Sequence, residues 1–185
     1  FLRSADIFWQ AVKKNGKLSR RSAWYTVADC SCEYSYGHGK PWVPNEFEDW
    51  MYVLCDQIKV LANLENVPNA INLNDYDGKT HSRGFHSDDE PLFPDHKGEC
   101  EIVSLSLGAM REFKIKKKYV SESTAKSTPL CNGDVLIMRG KMQQFFDHAV
   151  APGFSDGGRR INLTFRFVRK ANSKCKLHKM SKANY

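Results

Sequence analysis

Residues 160–166 read Arg-Ile-Asn-Leu-Thr-Phe-Arg, alternating polar and apolar side chains without a break. On a β-strand successive side chains point to opposite faces. Arg160, Asn162, Thr164 and Arg166 then share one face, while Ile161, Leu163 and Phe165 take the other. A helix would scatter both sets around its circumference. The same period of two recurs upstream, where Val103, Leu105 and Leu107 alternate with Ser104 and Ser106, and Phe113 and Ile115 alternate with lysines. Val135 to Met138 adds a short apolar run. Short strands divided by Gly-rich turns predict a barrel or sandwich.

The remaining pattern predicts flanking helices. Phe47, Trp50, Met51, Leu54, Ile58 and Leu61 recur at helical spacing, with Asn45 as N-cap and Glu48 completing a capping box. A short helix is expected over 6–14, with Phe8, Ala11 and Val12 on one face and Gly16 as its stop. Residues 17–44 are basic, then aromatic, and broken by Gly37, Gly39 and Pro41, which reads as strands and loops.

With 185 residues, 41% of them hydrophobic, the chain has material for one globular core. We expect a single domain over 1–168 and a basic tail over 169–185. The chain opens on Phe1 instead of Met, as a piece of a longer protein would. No stretch is long enough to span a membrane and no signal peptide is visible, so an intracellular monomer is expected. Six of the charges behind the net +7 are lysines and arginines of the tail, which leaves the first 168 residues at +1. Such a tail either holds a polyanion without reading its sequence or is simply solvated. The cysteines, Cys30, Cys32, Cys55, Cys100, Cys131 and Cys175, show no zinc-finger spacing and read as reduced thiols. On a strand, Cys30 and Cys32 would point to the same face.

Two features carry chemistry. His86-Ser87-Asp88 puts an imidazole and a carboxylate on one side of an extended segment. A second histidine from elsewhere would complete a facial triad that leaves positions open on Fe(II). His96, His148 and His178 lie downstream, and His148 is preferred because it falls between two expected strands, whereas His96 sits in a loop and His178 in the tail. The second feature is the 160–166 strand itself. Its pattern R-x-N-x-T-x-R has a chance expectation of roughly one in a thousand for this composition. If its polar face points into a cavity, Arg160 and Arg166 suit a small dicarboxylate such as 2-oxoglutarate, because guanidinium pairs with carboxylate through two charge-assisted hydrogen bonds.

In these motifs the chain resembles the AlkB-like dioxygenases. The resemblance runs from about Leu18 to Val168 and includes Asn74-Asp75-Tyr76, His86 to Glu90, Ser104 to Phe113, His148 and the 160–166 strand. It implies a double-stranded β-helix (jelly-roll) core with N-terminal helices packed on one side. Iron ligation is implied for His86, Asp88 and His148, and 2-oxoglutarate contacts for Asn74, Tyr76, Arg160, Asn162 and Arg166. Around the distal histidine Pro152 comes one residue later than the family's pattern, and nothing before Leu18 matches.

The same resemblance implies oxidative removal of alkyl groups from methylated DNA or RNA bases, with succinate, CO₂ and formaldehyde released. Tyr34 and Tyr36 match the family's base-covering lid, and Trp24, Tyr25 and Trp42 are further aromatic candidates. Asp89 and Glu90 would read an exocyclic amine or support His86; Arg111 would line the pocket wall. Arg20, Arg21, Lys13, Lys14 and Lys17 would follow a phosphate backbone. The alternatives are a protein or small-molecule hydroxylase on the same scaffold, and a nucleic-acid binder with a dead site.

Overall fold

A computed structural model describes residues 7–35, 41–93, 98–120, 124–154, 158–169 and 175. Strands β1 (Gln10–Lys14), β2 (Lys17–Thr26) and β3 (Asn45–Glu46) precede helix α1 (Asp49–Leu61). Then come β4 (Ala70–Tyr76), β5 (Arg83–His86), β6 (Cys100–Gly108), β7 (Arg111–Lys117), β8 (Lys126–Leu130) and β9 (Val135–Gly140). A four-residue helix, α2 (Met142–Phe145), leads into β10 (Phe146–Val150), and β11 (Arg160–Arg166) closes the order.

The strands form two sheets. The larger runs β1-β2-β4-β11-β6-β9, with β3 beside β2; the smaller runs β5-β10-β7-β8. Every pairing is antiparallel except β2 with β3. This is the jelly roll, with its cavity between the sheets.

β11 lies centrally in the large sheet, flanked by β4 and β6, and all seven of its residues are buried. Its apolar face, Ile161, Leu163 and Phe165, joins Ile71 and Leu73 of β4 and Val103 of β6 under Met51, Cys55 and Ile58 of α1. Its polar face looks into the cavity between the sheets. One alternating sequence thus serves two interiors, a dry one under the helix and a polar one over the site.

Several expectations are corrected here. The segment expected as a helix over 6–14 is strand β1 from Gln10 onward, with 1–6 outside the described residues. Asn15 and Gly16 both have positive φ, 51° and 76°. That is the turn an Asn-Gly pair makes between antiparallel strands, so the pair closes a hairpin instead of stopping a helix. Nor does Asn45 cap α1. It sits in β3 opposite Tyr25 and donates to the Trp24 carbonyl. Glu48 takes the cap position and makes no capping bond; its carboxylate accepts from the Trp50 indole instead. Among the described residues, the helix that covers the large sheet is α1. His148 lies within β10 and not between strands, because the Phe146–Val150 run pairs with β7 on one side and β5 on the other. Cys30 and Cys32 fall in the loop after β2. Among the described residues, no helix is long and apolar enough to cross a membrane.

Candidate active site

β5 and β10 pair so that His86 stands directly opposite His148. Their rings lie 4.2 Å apart, and Asp88, just beyond β5, reaches both. His86 Nε2 is 3.5 Å from one Asp88 oxygen and His148 Nε2 is 3.6 Å from the other. The three donor atoms all lie within 4.8 Å of one another. His86 Nδ1 bonds the Gly84 carbonyl, which places the proton there and leaves the Nε2 lone pair free. Phe113 stacks on His148 at 5.5 Å, and His148 Nδ1 is buried without a hydrogen-bond partner. Two imidazoles and a carboxylate converging on a cavity fit a divalent first-row metal.

Burial pushes His148 down to about 4, further than the neighbouring Asp88 carboxylate can restore it. The imidazole is therefore neutral, as a metal ligand must be, throughout the physiological range. Burial works to raise the Asp88 carboxyl, but Arg166 and then the two histidines outweigh it and hold it well below the usual range.

A pH dependence follows. The unfolded chain protonates His148 near 6.5 and the folded one only near 4, so acid favours unfolding across that window. The melting temperature of the metal-free protein should fall as pH drops from 6.5 towards 4. His148→Asn should flatten that slope. An equal slope in the variant would show that another group sets it.

The two arginines of β11 have different surroundings. Arg166 is 3% exposed, donates to Asp88 at 2.7 Å and lies 3.4 Å from Glu90. Asp88, Tyr34 and Glu90 more than restore the charge that burial disfavours, so its pKa is raised. Arg160 is 1% exposed and donates to Ser106 Oγ at 2.8 Å, but its Nε and Nη1 have no hydrogen-bond partner. Its guanidinium lies over the Tyr76 ring, 5.4 Å from the centroid, and burial lowers its pKa. A buried cation this incompletely paired marks a place for an anion.

Asn74 and Asn162 line the same cavity. The Asn74 amide oxygen accepts from Arg20 Nε at 2.7 Å and from Ser22, while the Asn162 amide donates to Ser104 and to the Leu105 carbonyl. Arg20, expected on a phosphate-tracking surface, is instead 4% exposed and faces this cavity. Arg83 joins it there, its guanidinium lowered to about 10 by burial and then by the charge of Arg20. Sequence reasoning missed Arg83, which carries no motif of its own.

The residues expected to touch substrate divide. Tyr34 is 2% exposed, packs on Trp24 and Phe93, and donates to Glu90 at 2.7 Å. It borders the cavity as part of its wall and not as an open lid. Trp24 is fully buried beside it. Glu90 is committed to Tyr34 and Arg166, and Asp89 is largely exposed, 3.4 Å from Lys118. Arg111 lies away from the cavity lining and donates to the carbonyls of Gly78 and Gly158, tying two loops together. Tyr36, His96 and His178, with most of the tail, lie outside the described residues.

His86, Asp88 and His148, set in a jelly roll, form a candidate metal centre. The chain belongs to the 2OG-Fe(II) oxygenase superfamily, whose family model matches residues 7–166. Within it the chain is similar to AlkB-type dioxygenases. It is 35% identical over 128 residues to alpha-ketoglutarate-dependent dioxygenase alkB homolog 3 of Rattus norvegicus, covering 64% of this chain and 42% of the rat protein. It is 33% identical over 121 residues to DNA oxidative demethylase ALKBH2 of Arabidopsis thaliana, covering 54% and 38%. The chain thus spans about two fifths of these relatives. The solved structure of OsALKBH1 matches with a TM-score of 0.59 at 22% identity, over 85% of this chain and 84% of that one, and shares its fold.

Proposed function

We propose that the protein oxidatively dealkylates N-alkylated bases in nucleic acid. The observation that carries this reading is a buried cavity with a two-histidine, one-carboxylate set on one wall and the incompletely paired Arg160 on the other. A relative named as a DNA oxidative demethylase supports the choice of substrate.

His86, Asp88 and His148 would hold Fe(II), which supplies the O₂ chemistry that oxidises 2-oxoglutarate and the alkyl carbon. Arg160 offers Nε and Nη1 to the far carboxylate of 2-oxoglutarate, and the Tyr76 ring fixes the guanidinium plane. Arg166 pairs with Asp88 and keeps it an anion, Glu90 in turn positions Arg166, and the Gly84 carbonyl holds His86 in one tautomer. Arg20 and Arg83 add positive charge at the cavity, which favours anionic ligands.

Single- and double-stranded DNA and RNA oligonucleotides carrying N-methylated bases test the proposal. One of them should stimulate succinate formation and yield formaldehyde and unmodified base in equal amounts, measured by mass spectrometry. Succinate formation indifferent to every oligonucleotide, with no methyl group lost, would sink it and favour a hydroxylase of other substrates on this scaffold.

A further inference from the structure

A second group of metal-ligating side chains lies outside the site described above. Cys30 and Cys32 come from the loop after β2, and Cys175 comes from beyond β11, 143 residues after Cys32 in the chain. Their sulfurs all lie within 4.8 Å of one another. Exposure is 5% for Cys30, 1% for Cys32 and 0% for Cys175, and none of the three is in a disulfide.

We propose that Cys30, Cys32 and Cys175 form a thiolate site for Zn(II), which fastens the chain beyond β11 to the segment that carries Tyr34. Zinc–sulfur bonds of about 2.3 Å at tetrahedral angles set sulfurs roughly 3.8 Å apart, which falls within the 4.8 Å limit found here. Three converging thiols and no carboxylate among them select a soft, borderline ion over the iron that suits His86, Asp88 and His148. Zinc takes one further donor besides the three.

The loop is already shaped for the purpose. Thr26 Oγ1 donates to the Cys30 carbonyl at 2.7 Å, the Trp24 indole donates to the Cys32 carbonyl at 3.0 Å, and Cys30 N–H bonds the Val27 carbonyl. The backbone on both sides of Cys30 and Cys32 is therefore held before any ion arrives, which lowers the ordering cost of binding. Trp24, Phe93, Ala70 and Val168 surround the thiols and exclude water. From this site the path to the active centre is short. Cys32 precedes Tyr34 by two residues, and Tyr34 holds Glu90, which holds Arg166.

The test uses the protein purified without chelator. Elemental analysis should find about one zinc per chain that persists in His148→Ala, whose iron site is impaired, and drops below about a tenth in Cys30→Ser and Cys175→Ser. Cys131→Ser, which alters an exposed thiol, should keep its zinc. Because a serine variant that unfolds would lose zinc trivially, the unaltered protein is also loaded with Co(II). A thiolate-to-cobalt charge-transfer band is expected, which a two-histidine, one-carboxylate site cannot produce. Absence of that band overturns the proposal. So does zinc that survives Cys175→Ser, or a disulfide among the three in protein prepared under reducing conditions.

Discussion

Arg160→Met should give a folded protein whose apparent affinity for 2-oxoglutarate is lower by roughly 10²- to 10³-fold. Truncating one partner of a buried charge pair costs about 2–5 kcal/mol, much of it the cost of leaving the other charge unpaired. The expected loss assumes that the far carboxylate of 2-oxoglutarate meets the two unpaired nitrogens of Arg160. Stability should move the other way. Without an anion, Arg160 is a buried cation that donates to Ser106, and an apolar chain of similar length relieves its desolvation. The melting temperature of the 2-oxoglutarate-free variant should therefore equal or exceed that of the parent. Calorimetric titration of 2-oxoglutarate into the Mn(II)-loaded protein under anaerobic conditions measures the affinity. A dissociation constant within threefold of the parent would place the carboxylate elsewhere, with Arg20 and Arg83 as the next cations in the cavity.

What the sequence made legible follows the range of the interactions. β11 was readable because its alternation is local, and so was α1, whose spacing survived although its cap did not. His86 and Asp88 were readable because a strand puts neighbours two apart on one side. The different settings of Arg160 and Arg166 were not. On paper they are equivalent ends of one face, and only the fold brings Glu90 beside Arg166, 76 residues away, while leaving Arg160 opposite Tyr76. Tyr34 illustrates the same limit. A Tyr in a loop suits a lid, but Phe93 and Glu90 arrive from a distant segment and bury it in a wall. Cys175 carries no spacing motif with Cys30 and Cys32, so their convergence was invisible until the loop after β2 and the chain beyond β11 were placed. At the N-terminus the error was local. Asn15-Gly16 is a hairpin signal, and reading Gly16 as a helix stop ignored the residue before it.

Arg166→Met should damage the fold and the metal site together. It removes the cation from two carboxylates, of which Asp88 is almost fully buried and Glu90 partly so. Breaking a buried pair from one side costs about 3–5 kcal/mol, because the remaining charge is left uncompensated. In a domain of this size each kcal/mol shifts the melting temperature by about 2–4 °C, so a fall of roughly 10 °C is expected. Asp88 also loses the strongest influence lowering its pKa, so its protonation should move up towards the usual carboxylate range. Metal affinity should then fall most steeply on the acid side of neutrality. Arg166→Lys should recover part of the stability, since an ammonium restores the charge but not the contacts to both carboxylates. The comparison with Arg160→Met separates the two arginines. At saturating metal, Arg166→Met should bind 2-oxoglutarate far better than Arg160→Met does, while being the less stable protein. Equal losses of 2-oxoglutarate affinity in both variants, or an Arg166→Met protein that melts with the parent, would show that Arg166 serves the co-substrate and not Asp88.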